Sequence, residues 1–364
     1  MKILHVVPSF GLGGMERVLC SIINGISEDV FHEILALNNE NEARKWIEND
    51  SVKILSFTKP STRFKFFQSV YQVIKSSNPS IVMTYNWGAT DAIWLGRLAR
   101  VSTIFHSEHG FNVDEAQGTK WKRDAIRFVV YRLTSQVIVV SQALYLSLKN
   151  DFLLPDRQLS FIPNGIDTTL FSPDLAERRR VRRELGLGEE HHVIGYSGRL
   201  DPVKNLEFLL QIFECAVQKN PFLRLMLVGD GPEKEKIEFM CRKKNLEDYV
   251  LFVGQTGNVL PYLRAFDVFL LTSFKEQMPM SILEAMSVEV PILASRVGGI
   301  PHMVTDGETG FLCELSDPLE DWVLRLLTIL EVTCQRRMGA AARKIIVDKF
   351  KAKTMIDRYH RVLF

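Results

Sequence analysis

Val193-Ile194-Gly195-Tyr196-Ser197-Gly198-Arg199-Leu200-Asp201-Pro202-Val203-Lys204-Asn205 is a short apolar run that stops at a glycine, passes through a basic turn and leads into a longer amphipathic stretch. The same unit recurs along the whole chain. Strands are expected over residues 3–7, 33–37, 52–57, 81–84, 103–106 and 137–140. A second series is expected over residues 193–196, 225–228, 251–253, 268–271, 292–294 and 311–313. Short β-branched runs alternating with amphipathic segments are the pattern of parallel sheets covered by helices. Between the two series lie the turn Pro163-Asn164-Gly165-Ile166-Asp167 and a charged helix expected over residues 175–185. A chain of 364 residues exceeds what one hydrophobic core usually fills. The expected fold class is therefore α/β, with two facing Rossmann-like doubly wound domains and an interdomain cleft. The first covers residues 1–168 and the second residues 169–347, with a C-terminal helix near residues 348–364 packing back on the first.

Hydrophobic residues make up 46% of the chain and charged residues 24%, as in an ordinary soluble enzyme, and a formal charge of +2 is too small to argue for nucleic acid. Five widely spaced cysteines in apolar surroundings read as free thiols of a reducing compartment, not as a disulfide frame or zinc site. The apolar run over residues 3–7 stops at Pro8, too short for a signal-peptide core, and no stretch of 18 apolar residues exists. The expected location is cytoplasmic, with any membrane contact peripheral, on the inner face of the plasma membrane.

Ligands of open α/β sheets bind beyond the carboxyl ends of the strands, and the chemistry-bearing motifs fall there. Gly11-Leu12-Gly13-Gly14 follows the first strand and opens a helical pattern, so amides at Gly13 and Gly14 suit an anion at a helix N-terminus. A tight turn without ligand is the bland alternative. The dinucleotide fingerprint fails, because Glu16 stands where a third glycine is needed. Arg199 and Lys204, introduced by Gly198, suit a diphosphate, although Arg199 could equally pair with Asp201 on the surface. Glu276 and Glu284 flank Gln277-Met278-Pro279-Met280-Ser281-Ile282-Leu283. Two carboxylates so spaced suit hydroxyls of two sugar rings if a turn and a helix start lie between them. Ser281 to Glu284 also reads as a capping box, which would give Glu284 a purely structural use. Met278, Pro279, Met280 and Ser281 join the donor-binding candidates, as do Gly254 and Gln255 after the strand at 251–253. His106 and His109 follow the fifth strand. No Asp-x-Asp pair or further Cys, His or Asp cluster completes a metal site beside them, so none is expected. Glu16, His106 and Trp87 are the acceptor-side candidates.

Residues 59–75 and 120–132 mix basic and aromatic side chains, and between Lys59 and Arg132 there are 11 Lys plus Arg against 5 Asp plus Glu. Such a surface suits anionic lipid headgroups, and a solvated helix face is the alternative.

At these residues the chain resembles the family-4 retaining glycosyltransferases of the two-domain GT-B fold, of the kind found in bacterial exopolysaccharide and envelope polysaccharide biosynthesis. The resemblance runs from Met1 to about Tyr359. Its most specific element is the Glu-x7-Glu motif with Glu276 and Glu284 at its ends. Gly-Arg-Leu-x3-Lys-Asn matches at residues 198–205, Val-Gly-Asp-Gly-Pro at 228–232, Asn-Gly-Ile-Asp at 164–167 and Gly-Gly-x-Glu at 13–16. The resemblance implies that Glu276 and the backbone after it hold the donor sugar and that Glu284 holds the ribose. It further implies that Arg199 and Lys204 hold the pyrophosphate, helped by the glycine loop, and that His109, with His106 as fallback, reaches the transferred sugar. The family usually has Gly after its first Glu where this chain has Gln277, which bears on the donor loop and on donor identity.

The resemblance implies a first domain that takes the acceptor and a second that takes the donor. Transfer would proceed with retention, by a front-face route in which a phosphate oxygen takes the acceptor proton, so that no acid and base carboxylate pair is needed. His109, Glu276, Arg199 and Lys204 are the catalytic candidates. The expected function is a metal-independent hexosyltransferase, without cofactor, that moves a sugar, glucose as first choice, from a UDP-sugar to a lipid-linked or oligosaccharide acceptor. A UDP-sugar epimerase on the same scaffold is the alternative.

Overall fold

The computed structural model describes residues 1–27, 29–110 and 121–364, and the chain divides into two compact units. Unit 1 comprises residues 1–164 with 353–364, and unit 2 residues 165–352. The sequence reading put this joint at 168/169.

Unit 1 is built from β1 (Lys2–Val7), α1 (Gly14–Gly25), β2 (Phe31–Ala36), β3 (Lys53–Leu55), α2 (Arg63–Ser77), β4 (Ile81–Tyr85), α3 (Asp91–Leu98), β5 (Thr103–Glu108), α4 (Trp121–Val130), β6 (Gln136–Val139), α5 (Gln142–Asn150) and β7 (Leu159–Phe161). Its seven strands lie in the order β3-β2-β1-β4-β5-β6-β7, every pairing parallel. Strands covered by helices on both faces need near-continuous apolar sequence, and Ile3, Leu4, Val6, Val7, Val82 and Met83 are all fully buried.

Unit 2 follows with α6 (Leu175–Glu184), β8 (His192–Ser197), α7 (Leu206–Lys219), β9 (Leu223–Val228), α8 (Lys234–Lys243), β10 (Val250–Gly254), α9 (Leu260–Ala265), β11 (Val268–Leu271), α10 (Met280–Ser287), β12 (Ile292–Ser295), β13 (Gly310–Cys313), α11 (Leu319–Ile329) and α12 (Val332–Lys349). Six parallel strands run β10-β9-β8-β11-β12-β13. Each sheet thus reverses direction beside its first strand, between β1 and β4 and between β8 and β11. Those reversals are where doubly wound sheets open a crevice for ligands.

The last helix, α13 (Ala352–Leu363), belongs almost wholly to unit 1. The sequence reading put the C-terminal helix near residues 348–364, but α12 runs on to Lys349 and the helix breaks at Phe350 and Lys351. There the backbone pairs with Ile166 in a short parallel bridge, with Ile166 N–H donating to Phe350 O and Ala352 N–H to Ile166 O, both 2.8 Å. A Cβ on Gly165 would press into the Lys351 and Ala352 backbone, so the glycine permits this crossing. The five cysteines are free thiols, three of them buried.

Candidate active site

In unit 2 the strand ends are stacked by their backbones. Gly198 N–H donates to Val228 O at 3.0 Å, Gly229 N–H to Gly254 O at 2.9 Å and Leu200 N–H to Asp230 O at 2.9 Å. Gly229 has φ +142°, and any Cβ there would overlap the Gly198 carbonyl, which accounts for the Val-Gly-Asp-Gly-Pro sequence. Gly254 closes β10 with φ +81°, and Gln255 beyond it is exposed.

The turn at residues 202–205 is clamped to the end of β11. The Thr272 hydroxyl donates to the carbonyls of Lys204 (3.1 Å) and Asn205 (3.0 Å), and Phe274 N–H donates to Val203 O at 2.8 Å. This brings Lys204 to Glu276: Nζ lies 2.5 Å from Oε1, and the Ser273 hydroxyl donates to the same oxygen at 2.8 Å. Both side chains are largely shielded, 20% and 10% exposed. Arg199 differs, with a side chain 72% exposed and, among the described residues, one ion pair, Nε to Asp201 Oδ2 at 3.3 Å. The bland contact foreseen for Arg199 is therefore formed. With its guanidinium in solvent, a single bond of this kind to the buried Asp201 leaves the other guanidinium nitrogens open to a diphosphate.

Glu276 is fixed from behind. Gly299 N–H donates to its carbonyl at 3.2 Å, and a Cβ on Gly298, whose φ is +54°, would fall on that carbonyl oxygen. The Gly298-Gly299 pair after β12 was missed in the sequence, although two glycines at a strand end were signal enough. Gln277 is buried and is not in left-handed backbone, so nothing in the loop geometry requires the glycine usual in the family.

Helix α10 starts at Met280 with Pro279 as its N-cap and no side-chain cap bond. Ser281 therefore lies inside the helix, and the capping-box use of Glu284 does not apply: the box needs serine at the N-cap. Glu284 is buried one turn in, Met278 is buried before the helix, and the amides of Met280 and Ser281 belong to the first turn, where a helix leaves donors without intrahelical partners. A groove of about 530 Å³ opens beside the 202–205 turn, lined by Leu206, Phe208, Phe274 and Leu315. Its Lys236 is already paired with Glu207 and Glu233.

In unit 1, Gly13 is the N-cap of α1 and Gly14 its first residue. Glu16 is 9% exposed, and its carboxyl folds back to where a Gly13 side chain would be. Burial raises its pKa to about 7 and the nearby Glu40 adds to this, while its own backbone N–H works the other way. At neutral pH this carboxyl beside the α1 N-terminus carries only part of its charge, which leaves that helix end more attractive to an anion than a fully ionised carboxylate would. Because the folded pKa lies above the ordinary value, the stabilising contribution is complete at low pH and is lost as pH rises through about 7. Glu16→Gln is thus expected to lose less thermal stability than the parent between about pH 5 and pH 8. Parallel melting-temperature curves for the two proteins would contradict this.

The β5 histidines separate cleanly. His106 is fully buried, hydrogen-bonded through Nδ1 to Thr84 Oγ1 at 2.8 Å, beneath the Tyr131 ring and 3.6 Å from Glu108. Burial alone would raise the Glu108 carboxyl, but His106, Arg127 and the Tyr131 hydroxyl together hold it below its ordinary value. His106 is therefore part of a buried polar core, a correction to the acceptor-side set. His109 lies at the strand end, half-buried, its backbone N–H donating to Asn86 Oδ1 at 2.8 Å and its ring stacked on Tyr85. Desolvation lowers its pKa to about 4, so the imidazole is neutral at pH 7. Trp87 is half-buried beneath the guanidinium groups of Arg127 and Arg123, 4.9 and 5.4 Å from the ring centroid.

Among the described residues no cluster of three or more metal-ligating side chains occurs. Two parallel, doubly wound Rossmann-like sheets are the architecture of the GT-B fold. The chain matches the family Glycosyltransferase Family 4 over residues 12–170 and Glycosyl transferases group 1 over residues 177–345. It is 30% identical over 271 residues to N-acetyl-alpha-D-glucosaminyl L-malate synthase of Bacillus anthracis, covering 74% of this chain and 68% of that one. It is 26% identical to the UDP-Gal:alpha-D-GlcNAc-diphosphoundecaprenol alpha-1,3-galactosyltransferase of Escherichia coli, over 98% of this chain and 95% of that one. Among solved structures, Anabaena Alr3699/HepE in complex with UDP and glucose superposes with a TM-score of 0.86 at 21% identity, over 100% and 99% of the two chains. The protein belongs to the family-4 glycosyltransferases of the GT-B fold.

Proposed function

We propose that the protein is a retaining hexosyltransferase that moves glucose, as first choice, from a UDP-sugar to a lipid-linked saccharide during envelope or exopolysaccharide synthesis. The observation that carries this reading is the shielded Lys204–Glu276 pair at the β8/β11 reversal, with Arg199 open beside it. Lys204 and Arg199 would take the diphosphate, and displacing Glu276 from Lys204 would free its carboxylate to accept hydrogen bonds from the sugar. Glu284 would hold the ribose, and the neutral His109 ring would meet a hydroxyl of the transferred sugar. The acceptor oxygen bonds to the anomeric carbon as the bond to the diphosphate breaks, and a phosphate oxygen receives the acceptor proton. Charge building on the leaving group is then met by two cations and helix N-termini, which is the larger catalytic term in such transfers.

Two features of relatives support the finer parts of this reading: the Escherichia coli relative's name specifies a UDP-sugar donor and a diphosphoundecaprenol acceptor, and the HepE complex holds UDP and glucose. Retention is read from the anomeric proton coupling of the first-formed product; an inverted product would exclude the front-face route. Because cations of the chain suffice for the diphosphate, excess EDTA should leave turnover unchanged within about twofold, since a divalent ion clamping the leaving group is worth several kcal/mol. Chelator-sensitive turnover restored by magnesium would contradict this.

No helix among the described residues is long and apolar enough to cross a membrane. The reading includes peripheral contact with an anionic bilayer through α4. That helix exposes Trp121 (75%), Ile126, Phe128 and Val129 (60%), flanked by Lys122 and Arg132. Of the other expected segment, Phe64 stands out, while Phe66 and Phe67 pack against Phe57 and Trp94; Lys120 lies outside the described residues. Apolar side chains rimmed by cations suit an interface with anionic headgroups. The doubly substituted Trp121→Glu, Val129→Glu protein should lose sedimentation with phosphatidylglycerol vesicles while keeping UDP binding. Equal sedimentation of variant and parent would remove α4 from the account.

A further inference from the structure

His109 is held by a hydrogen-bonded chain that reaches the far end of the sequence. Its Nε2 lies 3.0 Å from Ser107 Oγ, and Ser107 Oγ lies 3.2 Å from the Tyr359 hydroxyl on α13. Ser107 and Tyr359 are both buried, 0% and 1% exposed, so neither hydroxyl has bulk water as an alternative partner. The position of α13 in unit 1 is what brings residues 252 apart in sequence into contact.

The direction of the two bonds follows from chemistry. A phenol is a stronger donor and a poorer acceptor than an aliphatic alcohol, and the unprotonated nitrogen of a neutral imidazole is a good acceptor. Serine has one proton to give, so the consistent arrangement is Tyr359 donating to Ser107 and Ser107 donating to His109 Nε2. The reverse arrangement would leave the Tyr359 proton without an acceptor, since among the described residues Ser107 is the hydroxyl's one hydrogen-bond partner. An unsatisfied buried donor costs about 1–3 kcal/mol, enough to make the first arrangement dominant.

We propose that Tyr359 is a positioning residue for His109: acting through Ser107, it fixes the ring as the Nδ1–H tautomer, so that the imidazole presents a hydrogen-bond donor to the transferred sugar. The functional half of this statement rests on the reading of His109 given above, and the tautomeric half does not. Neutrality of the ring at working pH makes the choice of tautomer decide what it offers a ligand. Tyr359→Phe removes one oxygen from a buried ring, and Ser107→Thr retains the hydroxyl that Ser107→Ala deletes.

The test is a long-range proton–nitrogen correlation spectrum of the full chain labelled with ¹⁵N-histidine at pH 7, with the His109 signals assigned by their loss in His109→Gln. The parent and Ser107→Thr should show protonated Nδ1 and unprotonated Nε2. Ser107→Ala and Tyr359→Phe should both lose that pattern, and turnover in Tyr359→Phe should fall about tenfold, with UDP affinity unchanged, the equivalent of about 1.4 kcal/mol of barrier. An Nε2–H parent, or a Tyr359→Phe spectrum identical to the parent's, would overturn the relay. If Tyr359→Phe does not fold, the Ser107→Ala and Ser107→Thr pair decides by the same signals. A tautomer that changes as stated while both Tyr359→Phe and His109→Ala keep full turnover would uphold the relay and overturn the role given to His109.

Discussion

Glu276→Ala should lower turnover by about 100-fold or more, equivalent to at least about 2.7 kcal/mol of barrier, while UDP binds as tightly as before or tighter. The separation of the two effects follows from geometry. The Glu276 carboxylate pairs with Lys204 at 2.5 Å and also accepts from Ser273, so it competes with any diphosphate for the lysine. Removing it leaves the ammonium available to the leaving group and removes the acceptor for sugar hydroxyls. Turnover and UDP affinity, measured on the same preparation, check this directly. Unchanged turnover, or UDP affinity falling in step with it, would show that Glu276 serves only to hold Lys204 in place.

Lys204→Ala should act in the opposite sense on the nucleotide. A hydrogen bond to a charged group contributes about 1.5–3 kcal/mol, so UDP affinity should fall roughly 10–150-fold. Arg199→Ala should weaken UDP too, though its exposed position leaves more of its charge screened by solvent. Calorimetric titration of UDP into both variants and the parent gives the comparison. Equal affinity in parent and Lys204→Ala would refute the diphosphate role, because the pairing with Glu276 would then be the lysine's whole function.

The strands of both sheets were readable because a parallel strand buried on two faces must be nearly continuously apolar, as at residues 268–271 and, but for His5, at 3–7. β7 was not, since Leu159-Ser160-Phe161 is short, carries no β-branched residue and half exposes its last member. The starts of α1 and α6 were legible within a residue, but the C-terminal helix expected near residue 348 begins at Ala352, and Ser281 looked like an N-cap in a place where Pro279 takes that position. What the sequence hid was depth and long-range contact. His106 carries the right chemistry on the right strand, yet its full burial removes it from any acceptor surface. Gly298 supports Glu276, and Tyr359 meets Ser107, only because the folded chain brings distant segments together, which no local pattern encodes. Within the family's motif blocks, by contrast, Lys204 and Glu276 were named together from sequence and are found in contact.

The most direct test of the account is a thermal-shift panel of the unmodified protein with UDP, GDP, ADP, UDP-glucose, UDP-galactose, UDP-GlcNAc, GDP-mannose and NAD. A ligand at 100 times its dissociation constant stabilises a fold by about 2.7 kcal/mol, a shift readily measured. The account predicts stabilisation by UDP and UDP-sugars, greatest for UDP-glucose at equal concentration, and none by NAD. Stabilisation by GDP or ADP compounds in place of UDP, or by NAD alone, would contradict it.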